Sequence, residues 1–374
     1  MLSLNKIARS SKVWKNNLIP SADILQKRNS TSYEHGLKYG DGGRNSFNGS
    51  IVTVFGATGF LGRYVVNRLA RRGTQLIIPY RGVDDEVRNI RLMGDLGQIK
   101  FFNYNLRDYE SLLKTMTHSS TVINLVGKNF DTRNFTMSDC IVTGAADLAK
   151  AAKESGVKRF IHVSALGAEG SSPSHYLRLK SRSERCVSDA FPGATIMRPA
   201  PMYGDEDSYF NRYAYFRNFP IGIPLAKGGW ETRKRPVAVY DVARAIVLAT
   251  HDPTTANKTY ELYGPEEYYL HDIVKFIYRM IKRPCRIIPV PQSLYELAGY
   301  IGEFSPFDKR ITKDFVIRQF LSDDVLEDAF TFEDLGITPV NVNDAALNIL
   351  RRHRHYYHYS EIMKEEEFIK PIQQ

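Results

Sequence analysis

The chain has 374 residues, 43% hydrophobic and 25% charged, with a formal net charge of +10. That is the composition of a globular protein, long enough for one large α/β domain with a smaller appendage, and no run of 18 apolar residues offers a membrane-spanning helix. Three cysteines, Cys140, Cys186 and Cys285, lack metal or paired spacing and read as reduced thiols, and the nine histidines show no ligand spacing, so no metal is expected.

Charge is concentrated at the start. Residues 1–28 hold Lys6, Arg9, Lys12, Lys15, Lys27 and Arg28 against Asp23 alone, a net of +5 that is half of the chain's excess. The segment is rich in Ser and Asn, and its scattered apolar residues suit a basic amphipathic helix. This is the composition of a mitochondrial transit peptide, without the continuous apolar core of a secretory signal. With the leader set aside the remaining charge is ordinary, so a nucleic-acid partner is not expected. Residues 29–49 then read as an extended arm lying on a surface.

From residue 50 to 204 strand and helix signals alternate with short connections. The β-branched run Ile51–Phe55 ends in Gly56, Gly59 and Gly62, and Leu61, Val65, Val66 and Leu69 follow at helical spacing. A strand, a tight turn and a helix N-terminus in that order suit a dinucleotide pyrophosphate, because free backbone N–H groups and the helix dipole both favour an anion. In that fingerprint the first glycine makes the turn, the second admits the phosphate and the third lets helix and strand pack closely. Further strands are predicted at Gln75–Tyr80, Ile99–Tyr104, Thr121–Val126, Arg159–Ser164 and Ala194–Arg198, with helices at Asp139–Glu154 and His175–Ala190. Such alternation predicts a doubly wound parallel sheet of the Rossmann type. Residues 205–374 form a smaller mixed lobe and tail, except that 237–250 return to the core: Val237–Tyr240 reads as a strand, Asp241 as a helix cap and Val242–Thr250 as the helix. Helical segments are predicted near 270–282, 292–303 and 343–353.

The second strand runs out as Pro79-Tyr80-Arg81-Gly82, with no carboxylate at its tip to take a ribose 2′-hydroxyl. An arginine there accommodates a 2′-phosphate, which favours NADP(H) over NAD(H). Asn105-Leu106-Arg107-Asp108 would pass the adenine edge, and Asn124-Leu125-Val126-Gly127 would border the nicotinamide ribose. Tyr176 and Lys180 stand four apart on one helical face, twelve residues beyond the strand-end Ser164. A phenol ordinarily titrates near 10, so a proton-transfer role near neutrality needs such a cation beside it.

The glycine fingerprint, the strand-end Ser164 and the Tyr176-x-x-x-Lys180 pair together resemble the short-chain dehydrogenase/reductase superfamily. Glu184, Arg198-Pro199 and Met202-Tyr203-Gly204 resemble its extended, epimerase-like branch. Within that branch the stretches FGATGFLGRYVVNRL, HVSALGAEGSSPSHYLRLKSRSE, FEDLGITP and LRRHRHY resemble the reductase-like accessory subunits of mitochondrial respiratory complex I. The likeness implies a peripheral, matrix-side protein of the inner membrane that holds one NADPH, contacts other complex I subunits and acts structurally. The implied cofactor contacts are Gly56, Thr58, Gly59, Phe60, Leu61 and Gly62 at the pyrophosphate and Arg81 at the 2′-phosphate. Leu106 and Val126 would flank adenine and ribose, with Tyr176, Lys180 and Pro199 at the nicotinamide end. Active members often carry a second Ser or Thr after the first, and Asp where this chain has Asn105; here Ala165 follows Ser164. No catalytic residue is therefore assigned, and Ser164, Tyr176 and Lys180 stand as vestigial candidates. A free matrix reductase or epimerase using Tyr176 and Lys180 is the alternative.

Two surfaces remain. Leu350–Tyr359 mixes cations with aromatics at a helix end, which suits either the helix dipole or, through Arg351, Arg352 and Arg354, anionic lipid such as cardiolipin. Residues 305–325, with Phe307, Phe315 and Phe320 and flanked by Phe304, read as a mobile segment or a docking surface.

Overall fold

The computed structural model describes residues 47–218, 222–303, 312–326, 329–355, 358–359, 361 and 368–372. The leader, most of the arm, and Phe304, Phe307, Tyr356 and Tyr357 lie outside them. Of the arm's last residues, Asn48 donates its backbone N–H to the Gly73 carbonyl at 3.1 Å and its side-chain amide to Thr74 Oγ1 at 3.0 Å.

Seven strands build the central sheet: β1 Ile51–Phe55, β2 Gln75–Tyr80, β3 Ile99–Asn103, β4 Thr121–Asn124, β5 Arg159–Val163, β6 Thr195–Pro199 and β7 Thr259–Leu262. Their spatial order is β7-β6-β5-β4-β1-β2-β3, with every neighbouring pair parallel. The doubly wound prediction holds. Chain order reverses at β1, which pairs with both β2 and β4, and a ligand crevice opens beyond the strand ends at such a switch point.

The strands read as continuous apolar runs because both faces are covered. Successive residues go to opposite layers. Val54, Ile123 and Ile161 meet α1 (Phe60–Arg71) and α6 (Val239–His251) on one face. Phe55, Val122 and Phe160 meet α2 (Tyr109–Met116) and α3 (Gly144–Glu154) on the other, where α4 (His175–Ala190) packs beside α3. On α1 the predicted stripe is buried, Leu61, Val65, Val66 and Leu69 all facing the core, and each contributes about 1.5–3 kcal/mol by leaving water.

Two readings need correction, and one strand was not predicted. The predicted helix over Asp139–Glu154 opens with a π-helical turn at Asp139–Thr143 before regular α-helix begins. Asp241 does not cap α6; the helix starts three residues earlier than predicted, at Val239 with Ala238 as its N-cap, and the Asp241 carboxylate accepts the Val340 N–H at 2.8 Å. It therefore serves a segment far away in sequence. Finally, β7 carries Glu261 in its middle, a poor residue for a buried strand. Its partner Arg198 lies 3.2 Å away on β6, and the same guanidinium meets Glu184 of α4 at 2.7 Å.

A second core holds the C-terminal lobe, formed by α5 (Phe210–Tyr215), α7 (Leu270–Met280) and α10 (Val342–Leu350) around Tyr203, Leu225 and Tyr268. Three two-stranded pairings brace it: Met202–Tyr203 with Val237–Ala238, Arg233–Lys234 with Tyr268–Tyr269, and Ile223–Ala226 with Ile287–Val290. Helices α8 (Gln292–Glu303) and α9 (Lys313–Phe320) pack on each other, with Tyr295 and Val316 buried beside Ala226.

The tail arginines do not form one lipid-facing patch. Arg354 is buried and donates to the carbonyls of Met280 and Glu361, while Arg351 donates to the Tyr359 carbonyl and stacks over that ring. Of the three, only Arg352 is exposed. Among the described residues no helix is long and apolar enough to cross a membrane, and no cluster of three or more His, Cys, Asp or Glu is arranged to hold a metal.

Candidate nucleotide crevice and adjoining cleft

Between β1 and α1 the chain is forced through a narrow turn. Gly56 has φ +78°, and a Cβ there would stand 2.9 Å from the Leu125 carbonyl group. Only glycine fits that position. Gly62 is constrained differently: a Cβ would stand 2.5 Å from the Gly56 oxygen and 2.6 Å from Ala57 Cα. Helix and strand touch there. Gly59 is the N-cap of α1, exposed and in ordinary extended backbone, and a Cβ on it would meet only the Gly56 oxygen at 3.2 Å. No side chain caps this helix and no acid lies in its first turn. Thr58 and Gly59 thus present an open, electropositive helix end. Leu61 points into the core, so from that residue only the backbone is available to a ligand.

At the tip of β2, Arg81 is exposed and lies 5.3 Å from the ring centre of Phe135. Arg107 stacks over the same ring at 4.5 Å and is held by Asp139 at 3.2 Å. Phe135 was not legible as a site residue, since the loop that carries it has no periodicity. Leu106 is buried, packed against Gly144, where a Cβ would come within 2.6 Å of it. Val126 follows a turn made by Asn124, whose side-chain oxygen accepts the Val126 N–H at 3.0 Å. The other end of that amide donates to His162 Nδ1 at 3.2 Å, leaving His162 Nε2 to donate to Ser183 Oγ, also at 3.2 Å. Burial, with the Lys180 charge adding, pushes the His162 pKa down to about 3, so the ring is neutral.

The Tyr176–Lys180 pair sits on the first turns of α4. Lys180 is buried and donates to the Val163 carbonyl at 2.8 Å; its Nζ lies 5.9 Å from the centre of the Tyr176 ring. A Cβ on Gly127 would fall 3.6 Å from the same Nζ, so the lysine reaches the loop after β4. Ser164 is buried, with no hydrogen-bond partner for Oγ among the described residues. Ser164, Tyr176 and Pro199 line one cavity of about 440 Å³ between sheet and lobe, so the one-position offset from a Ser-Ser pattern has not taken Ser164 out of this cleft.

Two residues that sequence reasoning did not single out shape this region. Asp314 of α9 accepts from Ser174 Oγ at 2.9 Å and from the His175 N–H at 2.6 Å, tying the lobe to the N-terminus of α4. One turn on, Arg318 lies 4.5 Å from the Tyr176 ring centre and 3.3 Å from Asp314. An Asp and an Arg four apart on a helix are unremarkable in a sequence; nothing local links them to a tyrosine about 140 positions earlier.

Residues 52–263 match the NAD dependent epimerase/dehydratase family. Over 336 residues the chain is 44% identical to the mouse (Mus musculus) protein NADH dehydrogenase (ubiquinone) 1 alpha subcomplex subunit 9, mitochondrial, covering 90% of this chain and 89% of that one. The chain belongs to this family. The subunit-9 likeness extends to Arabidopsis thaliana, at 40% identity over 86% of this chain and 82% of that relative. It reaches the NADH-ubiquinone oxidoreductase 40 kDa subunit, mitochondrial, of Neurospora crassa, at 36% over 85% and 83%. Among solved structures, a Citrobacter triphenylmethane reductase complexed with NADP(H) superposes with a TM-score of 0.62 at 17% identity, covering 80% of this chain and 99% of that one. An Escherichia coli NADPH-dependent quinone oxidoreductase gives 0.62 at 15%, with the same coverage. At those identities the likeness establishes the fold alone.

Proposed function

We propose that this chain is an accessory subunit of mitochondrial complex I that holds NADPH as a structural element. It lies peripherally on the matrix side of the inner membrane and supports assembly of the NADH:ubiquinone oxidoreductase. The observation that carries the reading is 36–44% identity along most of the chain to proteins named as subunits of that enzyme in an animal, a plant and a fungus. The basic leader agrees with the destination.

The residues present fit the nucleotide. The uncapped end of α1, with Thr58 and Gly59 exposed, suits a pyrophosphate, and Gly56 and Gly62 leave no room for side chains behind it. Arg81 supplies a forked donor for a 2′-phosphate; the nearby carboxylates follow the tip in sequence, Asp84 held by the Tyr80 hydroxyl at 2.6 Å and Glu86 beside Gly82. Leu106 and Val126 would flank adenine and ribose; Tyr176 and Lys180 would hold the nicotinamide ribose, with Pro199 beside it. NADPH supplies reducing chemistry when bound, but here it supplies anchoring charge. A ligand at 100 times its Kd adds about 2.7 kcal/mol to a fold whose total is about 5–15. Native gel electrophoresis of mitochondria should place the chain in the complex I band. Mass spectrometry of nucleotide released from that band should give NADPH. Recovery only as a small soluble species refutes the subunit reading. Arg81→Asp should lower NADPH content tenfold or more; unchanged content refutes the ribose assignment.

A matrix reductase or epimerase is the second reading, favoured by Ser164 and Tyr176 lining the same cavity. It requires turnover that Tyr176→Phe abolishes while nucleotide stays bound.

A further inference from the structure

The cleft beyond the nucleotide crevice contains polar groups that the fold does not satisfy. Arg212 Nη1, Arg318 Nη2, Gln319 Oε1, Tyr209 OH and Ser164 Oγ are all shielded from solvent, all without hydrogen-bond partners among the described residues, and all on residues lining the 440 Å³ cavity. Leaving one such donor unmade is unfavourable, and a guanidinium more so. Five such residues in one cavity, four of them able to donate from the unpartnered atom, point to a ligand.

The charges identify its sign. Lys234 is matched by Asp323 at 2.8 Å, and Arg318 by Asp314 at 3.3 Å. Arg212 has no carboxylate partner among the described residues; its guanidinium lies 3.9 Å from the Phe315 ring centre. Burial lowers the Arg212 pKa, and the nearby Arg318 charge adds to that. An anion between the two arginines would relieve both effects. The remaining lining acids, Glu169 and Asp324, are exposed at the rim. The rest of the wall is mixed, with Phe60, Leu177, Leu270 and Phe315 forming apolar stretches among serines and tyrosines.

We infer that this cleft binds a small amphipathic anion, a carboxylate or phosphate head between Arg212 and Arg318 with a short apolar body against the cleft wall. The cleft adjoins the dinucleotide crevice rather than standing apart from it, since Phe60, Tyr176 and Pro199, assigned above to the dinucleotide, also line it. Planar guanidinium forks match either head group, and the apolar stretches of the wall select against fully polar anions.

The test uses full-length purified protein and calorimetric titration with octanoate, octyl phosphate and octanol, whose apolar bodies have the same length. Either anion should bind at least tenfold more tightly than octanol. Arg212→Gln and Arg318→Gln should each weaken the anion tenfold or more and leave octanol unchanged, while Arg352→Gln, an exposed tail arginine, should change nothing. Octanol binding as tightly as both anions overturns the inference even if neither arginine variant folds. So does anion binding that survives both variants. Preference for octanoate or for octyl phosphate tells which head group is taken. Nucleotide content measured on the same samples separates the two readings: NADPH present without anion binding sinks this inference alone.

Discussion

The two glycines on either side of the first helical turn should fail in opposite ways when replaced by alanine. In Gly62→Ala the new methyl falls 2.5 Å from the Gly56 oxygen and 2.6 Å from Ala57 Cα, both backbone atoms, so α1 has to lift from β1. Overpacking of this kind costs about 1–3 kcal/mol, and partial loss of the Leu61, Val65, Val66 and Leu69 contacts adds to it. We expect about 2–3 kcal/mol. In Gly59→Ala the methyl meets only one oxygen at 3.2 Å, and φ −70°, ψ 173° suits any residue. The smaller entropy of the unfolded chain gives back about 0.4–1 kcal/mol, so the bare fold should change little. The methyl nevertheless stands where a pyrophosphate would approach, and NADPH affinity should fall tenfold or more, about 1.4 kcal/mol. Urea unfolding of nucleotide-free protein, with calorimetric titration of NADPH, separates the two effects. Wild-type affinity in Gly59→Ala would refute the phosphate assignment, and wild-type stability in Gly62→Ala would refute the close-packing argument.

Arg198→Met leaves Glu184 and Glu261 facing each other, both nearly buried, without their shared cation, and should cost about 3–5 kcal/mol in urea unfolding at neutral pH; a loss under 1 kcal/mol would show the triad to be dispensable. His162 gives a pH dependence: its native pKa of about 3 lies below the unfolded value of 6.5, so the unfolded chain binds a proton that the native state refuses. This residue's contribution is intact above pH 6.5 and falls as pH drops toward 3, by about 2 kcal/mol at pH 5 at about 1.4 kcal/mol per pH unit. His162→Gln should therefore lose less stability than wild type between pH 7 and 5, and parallel losses would be inconsistent with a neutral buried ring.

Local features carried well through to the fold. Strand β1, its glycine turn and helix α1 are written in consecutive residues, and the helix predicted at His175–Ala190 has those bounds in the structure, where Ser174 caps it. Runs such as Gln75–Tyr80 declare a strand covered on both faces, since nothing polar interrupts them. The switch point follows from alternation, because βα units wind one way on each side of the first strand. Periodicity, capping and glycine geometry are short-range physics, and a linear sequence records short-range physics directly.

What closed the cleft is not of that kind. Strand β7 escaped notice because Glu261 is acceptable there only beside Arg198, 63 positions away. Asp241 looked like a cap but accepts from Val340, and Arg354 of the tail, read with its neighbours as a lipid contact, is turned inward to the Met280 carbonyl. Tyr176 meets Arg318 only because Asp314 fastens one helix to the start of another. A charged residue's role depends on which opposite charge or carbonyl the fold brings within about 3 Å. That proximity is fixed by packing between distant segments, which spacing along the chain does not encode.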